Sequence, residues 1–182
     1  KQDWRLVSII FGFSIVFRGI LVFSTPIQEV DIYRYVWDGV VVSQGQSPFE
    51  YSPKEIKNAA QVISDDPSLN KLALIAGRDA GLKEALNRIH FDDLPTVYPQ
   101  TSQYVFAAAA QTTPSNSSVE TRLGIMKLWL VGFDLATLVI VMATLRLCRM
   151  PIGLSLIYGW CPLLMKEMAN SGHLDSIAVA IS

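Results

Sequence analysis

The stretch EVDIYRYVWDG, residues 29–39, decides how the rest of the sequence is interpreted. It closely follows an apolar run, residues 6–24, which is long enough for a membrane span and contains a single charge. At about 100° per residue, a helix here places four polar side chains on one face: Asp31, Arg34, Tyr35 and Asp38. The opposite face carries aromatic and aliphatic side chains, which suit a lipid–water interface. The sequence therefore predicts carboxylates at the mouth of a cavity just above a bilayer.

The composition of the 182-residue chain is typical of a membrane protein. Hydrophobic residues make up 51% and charged residues 17%, whereas soluble domains carry about 25% charged residues. The net charge of −1 gives no reason to expect nucleic acid. Cys148 and Cys161 lie in or beside apolar segments, so we expect buried thiols rather than a disulfide or a metal site. Because residue 1 is Lys and the last apolar run is short, we expect an N-terminal fragment of a longer protein.

The fold class expected from this pattern is all-α, as a polytopic membrane protein with a long outer loop of amphipathic helices. Residues 1–24 form the first predicted transmembrane helix. Residues 25–121 form the predicted extracytoplasmic loop, which we call the outer loop. Residues 122–182 contain two more predicted transmembrane helices, in the apolar stretches 123–145 and 151–165, and the start of a truncated fourth.

Basic residues near the ends of the spans predict their orientation, because cytoplasmic loops are rich in Lys and Arg. Lys1 and Arg5 precede the first span, and Arg146 and Arg149 lie in the turn between the second and third. The outer loop and the GHLD motif, residues 172–175, are then predicted to lie on the same extracytoplasmic face. We expect a multi-pass protein of the bacterial inner membrane.

Local signals within the outer loop predict short helices. SPKE, residues 52–55, matches a capping box with Pro at the first helical position. Asp66 precedes a Pro in the same way, and spaced apolar residues at 82–89 indicate a third helix. Residues 101–111 are predicted to form a helix near the membrane surface. Two alternatives stay open for these helices: they lie flat on the bilayer, or they pack into a small globular domain.

Four motifs occur in a fixed order along the chain: DIYRYVWDG at 31–39, GQSPFEYSP at 45–53, LPTVYPQTSQYVF at 94–106 and WCPLLMKEMANSGHLD at 160–175. This order resembles the GT-C glycosyltransferases, and most closely their bacterial polyprenyl-phosphate-dependent, mannosyltransferase-like branch. Three residues depart from the family pattern: Ser47 and Cys161, which replace Asn, and Gln100, which replaces Pro.

The resemblance implies that a sugar, expected to be mannose, moves with inversion from a polyprenyl-phosphate donor to a lipid or glycan acceptor of the cell envelope. It implies Asp31 as the catalytic base. One carboxylate suffices, because a phosphate leaves without a general acid while the acceptor hydroxyl must lose its proton. Substrate binding is expected of seven residues: Arg34, Asp38, Arg88, Tyr98, Gln103, His173 and Asp175. No cofactor is implied, and the participation of a divalent metal stays open.

Other interpretations of the same residues remain. A transporter or lipid-linked-sugar flippase would bind its cargo through Asp31 and His173, and a non-catalytic membrane scaffold would need neither. Arg34 has a plainer alternative as an ion-pair partner of a neighbouring acid at helical spacing. Arg18 and Asp134 lie within predicted spans, where a charged residue either bonds two helices or takes part in function.

Overall fold

A computed structural model describes residues 4–27 and 30–182, and these residues form helices without any β-strand among them. The predicted all-α class is confirmed at this level. Predictions that involve Lys1 and Glu29 lie outside the described residues. The chain divides into two compact units. We call Lys1–Glu29 with Lys127–Ser182 the apolar unit, and Val30–Met126 the loop unit.

Two helices, α1 (Trp4–Val22) and α7 (Val119–Leu147), are long and apolar enough to cross a membrane. At 1.5 Å per residue, α1 extends over ~28 Å, close to the thickness of the hydrocarbon core. Its side chains Phe13, Val16 and Ile20 are 50%, 52% and 67% exposed. Large apolar side chains on one continuous exposed surface are a feature of membrane contact, and they support membrane association of the chain.

The third predicted span does not form one continuous helix. Its residues are divided among a 3₁₀ turn (Ile152–Ser155), α8 (Leu156–Gly159), α9 (Pro162–Met165) and a π-helical segment (Lys166–Ser171), before α10 (Asp175–Ile181). Pro162 explains the break, because it has no N–H to donate and it keeps Cys161 extended, with φ −67° and ψ 115°. Membrane crossing by this segment stays a prediction.

Polar side chains of α1 and α7 form hydrogen bonds and an ion pair beside the break in the third apolar stretch. The Gly159 carbonyl accepts from Arg18 Nη1 at 2.9 Å and from Ser14 Oγ at 3.2 Å. Arg18 also forms an ion pair with Asp134, and both side chains are fully buried. The second oxygen of Asp134 accepts from the Tyr158 hydroxyl at 2.7 Å. These contacts correspond to the structural alternative for Arg18 and Asp134.

The expectation of buried thiols is wrong for one cysteine. Cys148 follows the last residue of α7 and is exposed, whereas Cys161 is half-buried, and both are free thiols. The physical reason is position, since Cys148 lies where the apolar helix has already ended.

The loop unit contains five complete helices: α2 (Ile32–Ser43), α3 (Pro53–Ala59), α4 (Pro67–Arg78), α5 (Ala80–Asn87) and α6 (Gln100–Thr112). The predicted capping box is confirmed, because Ser52 accepts from the Glu55 amide and the Glu55 side chain accepts from the Ser52 amide. The predicted start of α4 is confirmed as well, since Asp66 accepts from the amide of Ser68 at 2.8 Å.

The loop unit has its own hydrophobic core. Five large side chains from different helices are each at most 2% exposed: Trp37, Ile56, Leu72, Leu86 and Phe106. The whole of α2 from Ile32 to Val41 is buried, because α5 and α6 pack against it. The prediction that one face of α2 contacts lipid is therefore wrong. Of the two alternatives for the outer loop, the globular one describes this unit.

Candidate functional site

The first turns of α2 and the segment leading into α6 bring several predicted site residues together. Gly39 permits the close approach of the two helices, because a Cβ at this position would overlap the carbonyl oxygen of Phe106. Tyr35 stacks on Phe106 with ring centroids 4.6 Å apart, and Tyr98 meets the edge of Tyr35 at 4.9 Å. The glycine and the three rings thus fix the positions of the neighbouring acids.

Asp38 lies inside this contact and is only 2% exposed. Its carboxylate accepts a hydrogen bond from Gln103 Nε2 at 3.2 Å and another from Thr96. Gln103 also donates to Thr96 Oγ1 at 3.2 Å. Burial raises the pKa of Asp38 to about 6, because the hydrogen bonds and the charge of Arg34 only partly offset the loss of water around the carboxylate. The prediction that Asp38 lies at the mouth of a cavity is therefore wrong, because α6 covers this side chain.

Arg34 is a buried cation held by backbone carbonyls. Its guanidinium donates to the carbonyl of Leu94 at 3.1 Å, and to those of His90 and Phe91 at 3.3 and 2.8 Å. The side chain is 7% exposed. These bonds fold residues 90–94 around the guanidinium. They leave little of Arg34 for a ligand, so its predicted role in substrate binding receives no support from its geometry.

Asp31 immediately precedes α2 and is partly exposed, in contrast to Asp38. It makes no side-chain capping bond to the helix. The Tyr98 hydroxyl hydrogen-bonds the Asp31 carboxylate instead, and burial together with this bond raises the pKa of Tyr98. Tyr98 and Asp31, which come from two different motifs, therefore form one polar group at the start of α2.

Arg88 is more accessible than Arg34, the other predicted substrate-binding arginine of the loop unit. Its side chain is 48% exposed, and it lies 5.5 Å from the centroid of the Tyr33 ring. Nη1 donates to the Tyr33 hydroxyl at 2.9 Å, and Nη2 pairs with Glu84. The hydrogen bond with Tyr33 is the main factor that raises the pKa of Arg88. These contacts connect a guanidinium to the first turn of α2.

His173 and Asp175 belong to the apolar unit. Gly172 adopts a left-handed conformation, with φ 71°, and ends the π-helical segment just before them. His173 Nδ1 lies 3.2 Å from Asp175 Oδ2, and the two side chains are 32% and 62% exposed. They form a partly exposed pair. The predicted common face of this pair and Asp31 stays a prediction.

The motif that contains His173 also fixes the chain beyond α1. Asn170 is buried, and its Nδ2 donates to Ser24 Oγ at 2.6 Å and to the Thr25 carbonyl at 2.8 Å. Its Oδ1 accepts from the Ile27 amide at 3.1 Å. The buried ammonium of Lys127 donates to the Ser24 carbonyl at 2.7 Å. Asn170 and Lys127 therefore hold the segment that follows the first apolar helix.

Sequence reasoning did not single out Thr96 or the anchoring role of Asn170. Thr96 lies in the LPTVYPQ stretch, in which Tyr98 was the predicted site residue. Its hydroxyl nevertheless forms a hydrogen bond with the carboxylate of Asp38. A buried Thr beside a Gln gives no periodic signal that would identify it. Asn170 is a polar residue in a mostly apolar segment, and this position is the sequence signal that could have indicated its structural role.

No metal site is apparent among residues 4–27 and 30–182, where no group of three or more His, Cys, Asp or Glu side chains could hold an ion. His90, Asp92 and Asp93 lie close together in the sequence and are residue types that bind metals. Asp92 pairs with Lys57 at 2.8 Å, and that hydrogen bond lowers the pKa of Asp92. Comparisons with protein-family models, with curated proteins and with solved structures find no match to this chain.

Proposed function

We propose that this chain is part of an integral-membrane glycosyltransferase that uses a polyprenyl-phosphate sugar as donor. The sugar, expected to be mannose, passes to a hydroxyl of a lipid or glycan acceptor on the extracytoplasmic face. The four ordered motifs, which resemble GT-C glycosyltransferases, and the two apolar helices support this proposal.

The observation that carries the proposal is the contrast between the two acids of DIYRYVWDG. Asp38 is enclosed and held by Gln103 and Thr96, so an acceptor hydroxyl has no access to it. Asp31 is partly exposed and bonded by Tyr98. A general base must be within hydrogen-bond reach of the proton that it takes. Partial exposure leaves Asp31 accessible to an acceptor hydroxyl, and it is therefore the proposed base.

The proposed reaction is a single displacement at the anomeric carbon. The acceptor oxygen attacks this carbon from the side opposite the phosphate, and Asp31 takes the hydroxyl proton. The carbon–oxygen bond to the phosphate breaks, and the polyprenyl phosphate leaves with the bonding electrons. One base and one cation meet these needs, whereas glycoside hydrolysis uses two carboxylates.

Arg88 is the proposed cation for the donor phosphate in the loop unit. It is about half exposed, while Arg34 is occupied by three carbonyls. The contact of Arg88 with Tyr33, two residues after Asp31, supports a phosphate position near the start of α2. His173, partly exposed and paired with Asp175, is a second proposed ligand of the substrates.

The test measures sugar transfer by the protein expressed from its complete open reading frame and reconstituted in proteoliposomes. The substrate is radiolabelled polyprenyl-phosphate mannose. Asp31→Asn should lower turnover by about 10² to 10⁴, which is the usual contribution of a general base. Asp65→Asn is the matched control, since Asp65 is an exposed acid of the same unit, and it should retain full turnover. Full turnover of a folded Asp31→Asn variant would exclude Asp31 as the base.

One observation favours the transporter as a second candidate. The segment after Pro151 is a broken helix, and discontinuous helices mark the binding sites of many transporters. The same proteoliposomes discriminate the two functions. Movement of the labelled donor to the opposite leaflet of the vesicles without labelled product identifies a transporter or flippase, and labelled product identifies the transferase.

A further inference from the structure

The apolar unit contains a groove of about 840 Å³ between the start of α1 and the end of α7. Its walls are mostly apolar and include Trp4, Val7 and Phe11 of α1, and Met142 and Leu147 of α7. The volume lies within the range of pockets that bind small molecules. It lies at the opposite end of α1 from the segment that Asn170 anchors.

Two arginines supply the charge of this groove. Arg146, in the last turn of α7, lies with its guanidinium carbon 5.1 Å from the centroid of the Trp4 ring. Arg149 contributes to the same wall. No Asp or Glu belongs to the described residues that line the groove. The groove therefore combines a long apolar surface with two cations. These features complement an amphiphile that has an anionic headgroup.

The backbone at Arg149 adopts a left-handed conformation that is unfavourable for arginine. The Arg149 amide donates to the Arg146 carbonyl at 3.1 Å, and the Met150 amide donates to the Leu145 carbonyl at 2.8 Å. This pair of bonds is a Schellman motif, in which Arg149 occupies the left-handed position, with φ 56°. Glycine is usual there, because other residues are strained. A strained residue in the wall of a groove points to a use for its side chain.

We propose that this groove binds an anionic phospholipid. An acyl chain lies along the apolar walls, and the phosphate contacts the guanidinium groups of Arg146 and Arg149. The inference rests on the membrane placement proposed above, but not on the transferase activity. It agrees with the predicted cytoplasmic position of this end of the chain, because anionic lipids of the cytoplasmic leaflet attract basic residues near the membrane.

A lipid explains the site better than a free phosphate does. Inorganic phosphate would satisfy the two guanidinium groups but would leave the apolar walls uncovered. A neutral phospholipid would cover the walls but would bring its own cation towards the arginines. An anionic phospholipid matches both features.

The experiment uses the protein expressed from its complete open reading frame and purified in nonionic detergent. The ligands are phospholipids with brominated acyl chains, which quench nearby tryptophan. Brominated phosphatidylglycerol should quench Trp4 at lower concentration than brominated phosphatidylcholine does. The fraction of quenching lost in Trp4→Phe identifies the signal from the groove. Inorganic phosphate at millimolar concentration should not displace the lipid. Three results would overturn the proposal. They are equal quenching by the two lipids, displacement of the lipid by phosphate, and no quenching of Trp4 because other parts of the protein cover the groove.

Arg149→Gly separates binding from folding, because glycine prefers the left-handed conformation at this position. This variant should melt at the same or a higher temperature. Its affinity for phosphatidylglycerol should fall about fivefold, as expected for one basic residue near a headgroup. Arg5→Gln is the matched control, since it removes a charge from the same end of α1 at a residue outside the groove wall, and it should bind as the parent does. Unchanged binding by Arg149→Gly, or an equal loss in Arg5→Gln, would contradict a specific site.

Discussion

Gln103 donates a hydrogen bond of 3.2 Å from its Nε2 to Asp38 Oδ2, inside the contact between α6 and α2. Both side chains are nearly inaccessible, at 1% and 2% exposed. The bond joins the WDG and YPQTSQ motifs, which lie 65 residues apart. The Oε1 atom of Gln103 has no hydrogen-bond partner among the described residues. Asp38 therefore lies enclosed within the contact between α2 and α6.

The first prediction concerns pH. Burial raises the pKa of Asp38 from 3.8 to about 6. The stability associated with this group is therefore fully present below about pH 4 and is lost as the pH rises through about 6, since the unfolded chain ionises first. A shift of this size corresponds to ~3 kcal/mol. Asp38→Asn cannot ionise and should remove this pH dependence, and its added NH₂ can donate to Gln103 Oε1.

Hydrogen exchange of α2 and α6 amides, followed by mass spectrometry, measures this local stability. At about pH 7 the Asp38→Asn variant should exchange more slowly than the parent, and below about pH 4 the two should be equal. A variant whose exchange exceeds that of the parent at neutral pH would show that the ionised carboxylate stabilises the unit.

Local structure in this chain was predictable where the signal is local. The Ser52–Glu55 capping box and the Asp66 cap each involve residues two or three positions apart, and the sequence indicated both. Arg34 was harder to predict, because its acceptors are backbone carbonyls 56 to 60 residues away. Helical spacing indicated the neighbouring acids as its partners instead.

The environment of α2 shows the same limit. Periodicity correctly placed a helix after Asp31, but it could not say what covers each face. The close contact with Phe106 depends on Gly39, a residue that periodicity treats as featureless. The third apolar stretch was predicted to be one span from its composition, although it contains a helix-breaking residue, Pro162. The carbonyl that this break exposes is satisfied by Arg18, which explains a charge that looked anomalous within an apolar helix.

The second prediction concerns Tyr98. Tyr98→Phe keeps the ring contacts but removes the hydrogen bond to Asp31. Bonds to charged groups contribute ~1.5–3 kcal/mol, so sugar transfer should slow by about tenfold or more. A positioning role predicts that kcat falls while KM stays unchanged. Tyr104→Phe is the control, because Tyr104 is an exposed tyrosine of α6, the helix that follows Tyr98. A change confined to KM would place Tyr98 in substrate binding instead.

The third prediction concerns Gly39. Gly39→Ala should destabilise the protein by about 1–3 kcal/mol, because the added methyl group meets backbone atoms of Phe106 that cannot rotate away. Gly77→Ala is the matched control in α4, where nothing lies within 4 Å of an added Cβ. It should raise stability by about 0.5–1 kcal/mol, since alanine favours helix. Thermal unfolding in detergent, followed by circular dichroism, compares the two. Equal melting temperatures would refute the proposed close contact.

The fourth prediction concerns the buried pair of Arg18 and Asp134. Arg18→Met or Asp134→Leu alone should cost about 3–5 kcal/mol, because each leaves one unpaired charge inside the protein. The double variant should recover much of this loss, but not all of it, since the Gly159 carbonyl loses the bond from Arg18 and keeps only the one from Ser14. Unfolding of the four proteins in a double-mutant cycle gives the coupling energy. Simple additivity would show that the two side chains do not depend on each other.

The last prediction tests the orientation on which the proposed active face depends. Cys148 is an exposed native thiol beside Arg146 and Arg149, so it reports on the end of the chain predicted to be cytoplasmic. In a Cys161→Ser background, a membrane-impermeant maleimide should label Cys148 only after the cells are permeabilised. A cysteine at exposed Ser115, introduced after both native thiols are replaced by Ser, should react in intact cells. The reverse pattern would place Asp31 on the cytoplasmic side, where an extracytoplasmic donor sugar could not reach it.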